Sequence, residues 1–249
     1  MAGHSHWARI KRAKAVTDAR RGQQWSKLAR RIIVAAKSGG GSPEENLSLR
    51  YAIDDAKAAN MPKDTIANAI KKGTGELGGQ NFEQIIYEGY GPAGVAIMID
   101  CLTDNRNRTV PEMRKAFERA GGQLGSTNCV AWMFTQKGAL TVSADAVEED
   151  TLLEICLDGG ADDVKREGDV FEITCEVGAF GDIKAALAAK AIPTVVAEIA
   201  MVPNSTVTLT AGKARQVLNL IETLEEHDDV QNVYANFDIP EDVAATLEA

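Results

Sequence analysis

The chain has 249 residues, 45% of them hydrophobic and 25% charged, with a formal net charge of −9. That length suits one large domain or two to three small ones, and the composition is that of a soluble protein able to bury a core. No apolar run approaches the roughly 18 residues of a membrane-spanning helix, and the N-terminus lacks the apolar stretch of a secretory signal. Its basic, two-faced start is shared with mitochondrial transit peptides, but those are also Ser-rich and this one is not. The expectation is a cytoplasmic protein that does not enter membranes. Cys101, Cys129, Cys156 and Cys175 form no Cys-x-x-Cys pair and lie within or beside apolar runs, so they read as reduced core thiols and not as zinc ligands.

The charge is divided along the chain. The first 37 residues hold ten Lys or Arg against one acid, Asp18. Residues 1–80 hold 15 bases and 7 acids, whereas residues 81–249 hold 12 bases and 29 acids. A basic head on an acidic body points to a polyanionic partner for the head.

In chain order, Asp18 to Lys37 has helical periodicity. Trp25, Leu28, Ala29, Ile32 and Ala36 share one face, while Arg20, Lys27, Arg30, Arg31 and Lys37 fall on the opposite one, which is expected to stay open. Arg21 flanks the apolar stripe. Ser38-Gly39-Gly40-Gly41 ends the helix. Ser42-Pro43-Glu44-Glu45 reads as a capping box starting a second helix that runs to about Asn60, and Pro62 opens a third that ends at Lys71-Lys72-Gly73. After the linker Thr74 to Asn81, Ile85–Tyr87 and Val95–Cys101 read as strands joined by a Gly/Pro turn. Thr109-Val110-Pro111-Glu112 is a second capping box, and Val130 to Phe134 a further strand. Residues 138–203 then carry a complete βαββαβ pattern, the ferredoxin-like unit. A strand near Thr206–Leu209, a helix from Lys213 to His227 and a strand from Val230 to Phe237 follow. Too little to stand alone, they would complete the sheet begun at residue 82.

The expected architecture is therefore α+β in three domains. An all-α three-helix head (1–78) precedes two ferredoxin-like α+β domains, the third (137–203) inserted into the second (79–136 plus 204–249).

Several strings together resemble the YebC/PmpR family, related to the mitochondrial translational activator of cytochrome oxidase. They are Gly3-His4-Ser5 with Trp7, the basic stretch to Arg31, Ala58–Asp64, Ala69-Ile70-Lys71-Lys72-Gly73, Tyr87 to Pro92, Thr103 to Thr109, and Val130-Ala131-Trp132-Met133-Phe134. The resemblance covers nearly the whole chain. It implies a cytoplasmic, three-domain, non-enzymatic protein directed at nucleic acid, described in most members as a DNA-binding transcriptional regulator. In others it is described as a ribosome-associated translation factor that eases synthesis of difficult stretches such as consecutive prolines. This chain departs from the family pattern at His6, where many members have Lys, at Ala93, where they have Gly, and at Asn128-Cys129, where they have Gly-Ser.

Candidate nucleic-acid-binding residues are His4, His6, Trp7, Arg9, Lys11, Arg12, Lys14, Arg20, Arg21, Lys27, Arg30, Arg31 and Lys37 of the head, with Arg106 and Arg108 from the loop before the second capping box. Lysine and arginine neutralise phosphates and release counterions, Trp7 could stack on a base, and the loop arginines stand beside a helix N-terminus that favours an anion. In the competing reading of that loop, Asp104, Asn105 and Asn107 lock it and its arginines pair with nearby acids. The acidic pair Asp228-Asp229 reads as a solvated end. No Gly-x-Ser-x-Gly or His-Glu-x-x-His pattern is present, and His4-Ser5-His6 lacks further ligands for a metal. No catalytic residue, metal or cofactor is expected. The expected partner is nucleic acid, DNA first and ribosomal RNA or tRNA as the alternative; a small hydrolase on a ferredoxin-like scaffold is the remote third reading. Nothing in the sequence sets the oligomeric state, and a monomer is compatible with it.

Overall fold

The computed structural model describes residues 18–78 and 81–248. Three helices form the head: α1 (Asp18–Gly39), α2 (Leu47–Ala58) and α3 (Lys63–Gly73). The apolar stripe of α1 makes their common core, with Leu28, Ile32 and Ala36 buried against Leu49, Ile53, Ala56 and Ile66. Trp25 lies at its edge, its indole N–H donating to Ala59 O. α1 and α3 approach closely because Gly73 lacks a side chain. A Cβ there would stand 2.5 Å from Ile33 O.

α2 begins later than its capping box suggests. Residues 42–46 form a turn, and Asn46 is the cap, its Oδ1 accepting from the Leu49 N–H. The same amide donates to Ala35 O and Gly40 O, closing the end of α1 while opening α2. One side chain satisfies both helix ends, which Ser42 is too short to do.

The second domain begins with β1 (Glu83–Tyr90) and β2 (Ala96–Thr103), an antiparallel hairpin that pairs Glu88 with Met98 and Tyr90 with Ala96. α4 (Arg106–Arg119) and β3 (Gln123–Leu124) follow. α4 starts three residues before its expected capping box, because Asn105 accepts from the Asn107 and Arg108 N–H groups. The third domain then supplies β4 (Phe134–Ser143), α5 (Glu149–Asp158), β5 (Ala161–Glu167), β6 (Val170–Cys175), α6 (Phe180–Ala189) and β7 (Thr194–Pro203). Its strands order as β5-β6-β4-β7, all antiparallel, with both helices against the sheet around Leu152, Ile173 and Ile183. The chain returns through β8 (Val207–Thr208), α7 (Ala211–Glu225), β9 (Val230–Ala235), β10 (Phe237–Asp238) and α8 (Glu241–Glu248).

β9 pairs with β2, giving the sheet β3-β1-β2-β9. The fold is thus α+β, with the third domain inserted into the second. α4 and α7 cover one face of this sheet, around Ile97, Ile99, Phe117, Val217 and Leu224. On the other face Ala96 and Met98 pack with Val130 and Phe134. The expected strand at residues 130–134 is instead a 3₁₀ turn, Ala131–Met133, that leads into β4.

Candidate nucleic-acid interface

The polar face of α1 was expected to be open. In the structure it is docked on the second domain. Lys27 Nζ donates to Glu225 O, and Gln23 Nε2 donates to Glu226 O. Arg30 Nη1 donates to Asp228 O and, at 2.8 Å, to Asp229 Oδ1, while its guanidinium lies 5.3 Å from the centroid of the Phe82 ring. These acceptors stand at the C-terminal end of α7, where unpaired carbonyls and the helix dipole concentrate negative charge. The end of α7 offers Lys27 and Arg30 what a phosphate would offer. The expectation of an open cationic face is therefore corrected at these two positions.

Asp229 is the centre of the contact. It was expected to be solvated, yet it is 1% exposed. Its carboxylate accepts from Arg30, from Arg108 Nη2 at 2.7 Å, from Thr109 at 2.9 Å and from Thr103 at 3.1 Å. Burial alone would raise its pKa, but the hydrogen bonds from Arg108, Thr109 and Thr103 and the Arg108 charge outweigh it and hold the group below its ordinary value. The adjacent His227 Nδ1 accepts the Asp229 N–H at 3.1 Å, which leaves its Nε2 to face Glu112 Oε2 at 2.7 Å.

This geometry decides the loop at residues 104–109. Asn105 caps α4, and Arg108 pairs with both Asp104, at 3.0 Å, and Asp229. Arg108 is thus engaged by acids of its own domain, the arrangement that the competing reading of a locked loop describes. Arg106 is exposed in the first turn of α4.

The remaining candidates divide as follows. Arg31 pairs with Asp55 inside the head at 3.0 Å. It also lines a cleft of about 440 Å³ between the three domains, with Asp54, Lys184, Glu198 and Asn232; the mixed charges there do not suit a polyanion. Lys37 is exposed and donates to Asn81 Oδ1 at 2.6 Å. Arg20 and Arg21 lie in the first turn of α1, but their side chains are outside the description, and His4, His6, Trp7, Arg9, Lys11, Arg12 and Lys14 lie outside the described residues altogether. Cations that sequence reasoning did not single out are exposed on the head: Lys63 at the start of α3, and Lys71 and Lys72 in its last turn. The signal for Lys71 and Lys72 was their place after the last buried apolar positions, Ile66 and Ala69, of that helix.

Among the described residues no group of three or more His, Cys, Asp or Glu could hold a metal ion, and no helix is long and apolar enough to cross a membrane. Cys101, Cys156 and Cys175 are buried free thiols, and Cys129 is half-buried.

These features define a three-domain α+β protein in which a small cationic helical head is docked on an acidic body. The chain belongs to the TACO1/YebC family: the N-terminal domain of that family matches residues 5–76, and its second and third domains match residues 82–237. It is 53% identical to a probable transcriptional regulatory protein of Pelotomaculum thermopropionicum, over 96% of this chain and 99% of the relative. A probable transcriptional regulatory protein of Geobacter sulfurreducens is 51% identical over 96% of each chain. The crystal structure of a conserved hypothetical protein from Aquifex aeolicus is similar at a TM-score of 0.81 and 48% identity, covering 90% of this chain and 93% of that one.

Proposed function

We propose that this protein is a non-enzymatic regulator of gene expression that binds nucleic acid through its basic head, with DNA as the first substrate. The observation that carries the reading is the charge division, 15 bases against 7 acids in residues 1–80 of a chain whose net charge is −9. Relatives named as probable transcriptional regulatory proteins support the regulatory role. Lys63, Lys71 and Lys72 give the head exposed cations beyond those engaged by α7.

One structural observation favours a second substrate. The polar face of α1 rests on the second domain, so that helix in its docked state does not present a row of side chains to a major groove. That favours backbone and shape recognition by this helix, which structured RNA such as ribosomal RNA or tRNA satisfies as well as duplex DNA does.

The test is anisotropy titration of the full chain with a mixed-sequence DNA duplex and with a structured ribosomal RNA fragment, between about 50 and 200 mM salt. Four to six phosphate contacts would lower affinity by roughly two to three decades across a fourfold rise in salt. Replacing Lys63, Lys71 and Lys72 by Gln should flatten the slope. Affinity independent of salt, or no binding to either polymer, would refute the basic-head reading.

A further inference from the structure

Opposite the helical side of the second domain's sheet stands an aromatic feature that the head does not explain. Trp132 is 71% exposed and Tyr90 is 38% exposed. Both are anchored on one atom: the Trp132 indole N–H and the Tyr90 hydroxyl each donate to Cys129 O at 3.1 Å. With its N–H so engaged, the indole has its ring face to offer and not its donor edge.

The loop that carries Trp132 is held from beneath by a buried anion. Glu88 is 3% exposed, and its carboxylate accepts from the backbone N–H groups of Asn128 at 2.7 Å, Val130 at 2.8 Å and Ala131 at 2.8 Å. Among the described residues, no lysine or arginine pairs with it. Asn128 adopts a left-handed backbone at φ 64°, and Asn204 donates to Trp132 O at 3.3 Å. The satisfied carboxylate fixes the loop, and the fixed loop holds the indole ring out in solvent.

The electrostatic setting identifies what the ring takes. The platform sits on the part of the chain with 29 acids against 12 bases, and Glu88 adds a negative charge directly behind it. A flat cation is attracted by the field and by the negative face of the indole, and guanidinium supplies both flatness and charge. We infer that Trp132 and Tyr90 form a docking platform for an arginine-bearing basic segment of a partner protein. The platform is distinct from the head and does not depend on the nucleic-acid reading. It would let one molecule hold a polyanion at one end and a basic protein at the other.

The full chain with ¹⁵N-labelled tryptophan tests this, the Trp132 indole signal being assigned by Trp132→Phe. The probes are blocked octa-arginine, blocked octa-lysine and a single-stranded oligothymidylate, at about 0.15 M salt. The expected result is a saturable shift of the Trp132 indole signal with octa-arginine, weaker with octa-lysine. Trp132→Ala should bind octa-arginine about two- to five-fold more weakly, and Trp132→Phe should retain most of the affinity. Peptide binding that leaves the Trp132 signal unmoved would show attraction to the acidic surface alone and overturn the proposal. A shift with the oligonucleotide and not with octa-arginine would overturn it in favour of base stacking. Loss of nucleic-acid binding by the head would leave this result untouched.

Discussion

Replacing Asp229 by Asn tests whether one carboxylate joins the head to the second domain. The amide keeps the shape but removes the charge, and it turns an NH₂ group towards neighbours that are themselves donors: Arg30, Arg108, Thr103 and Thr109. Breaking a fully buried ion pair costs about 3–5 kcal/mol. Here the carboxylate side chain is 2% exposed, but the Arg30 and Arg108 side chains are 21% and 44% exposed, so the stranded guanidiniums recover part of their hydration. The expected destabilisation is about 2–3 kcal/mol. Urea denaturation, followed by tryptophan fluorescence and far-ultraviolet circular dichroism, would read it as a lower midpoint. A cycle with Arg30→Met should show coupling of about 1 kcal/mol. Acid should mimic the substitution. The folded pKa of Asp229 is depressed below its unfolded value, so its stabilisation is complete above the unfolded pKa of about 4 and is lost as pH falls through the folded one. A midpoint shift worth less than about 0.5 kcal/mol, with no coupling to Arg30, would refute the argument.

Two further substitutions test local reasoning. Ala93 occupies the turn between β1 and β2 at φ 60°, a left-handed conformation that penalises a Cβ, so Ala93→Gly should stabilise by about 0.5–1 kcal/mol in the same assay. A lower midpoint would mean that unfolded-state entropy outweighs the strain. Glu88→Gln leaves one acceptor oxygen where the carboxylate serves three backbone N–H groups, and should cost about 1–3 kcal/mol while altering Trp132 emission. Unchanged emission and midpoint would show that the loop is held by other contacts.

Much of this fold is visible in local pattern. The stripe Trp25, Leu28, Ile32 and Ala36 names the buried side of α1, and the βαββαβ rhythm of residues 138–203 names the third domain, because periodicity and turns are local properties. Helix starts were less legible. Ser42 and Thr109 satisfy the capping-box pattern, yet Asn46 and Asn105 are the caps, since each also fits tertiary or loop demands that the pattern does not contain. Residues 130–134 look like a strand by hydrophobicity, but Glu88, some 40 residues earlier, draws their N–H groups into a 3₁₀ turn. The polar face of α1 shows the limit most clearly. Amphipathicity tells which side is apolar and says nothing of carbonyls 198 residues away that meet the other side.

That docked face separates two kinds of electrostatics on a single helix. Beyond about 8–10 Å the attraction between a basic head and an acidic body is screened at physiological salt, so net charge does little to hold them together. Contact does: Arg30 meets a carboxylate withdrawn from water, where ions penetrate least and screening is weak. Cations exposed on the head, Lys63, Lys71 and Lys72 among them, would on the proposed function meet a phosphate chain through counterion release, the interaction most sensitive to salt. Rising salt should therefore strip a bound polyanion from the head before it loosens the head from the body. The acidic end of α7 meanwhile fixes which cations face outward. Lys27 and Arg30 belong to the architecture that orients the head, and on the proposed function phosphate binding would rest with the cations that α7 leaves outside its reach.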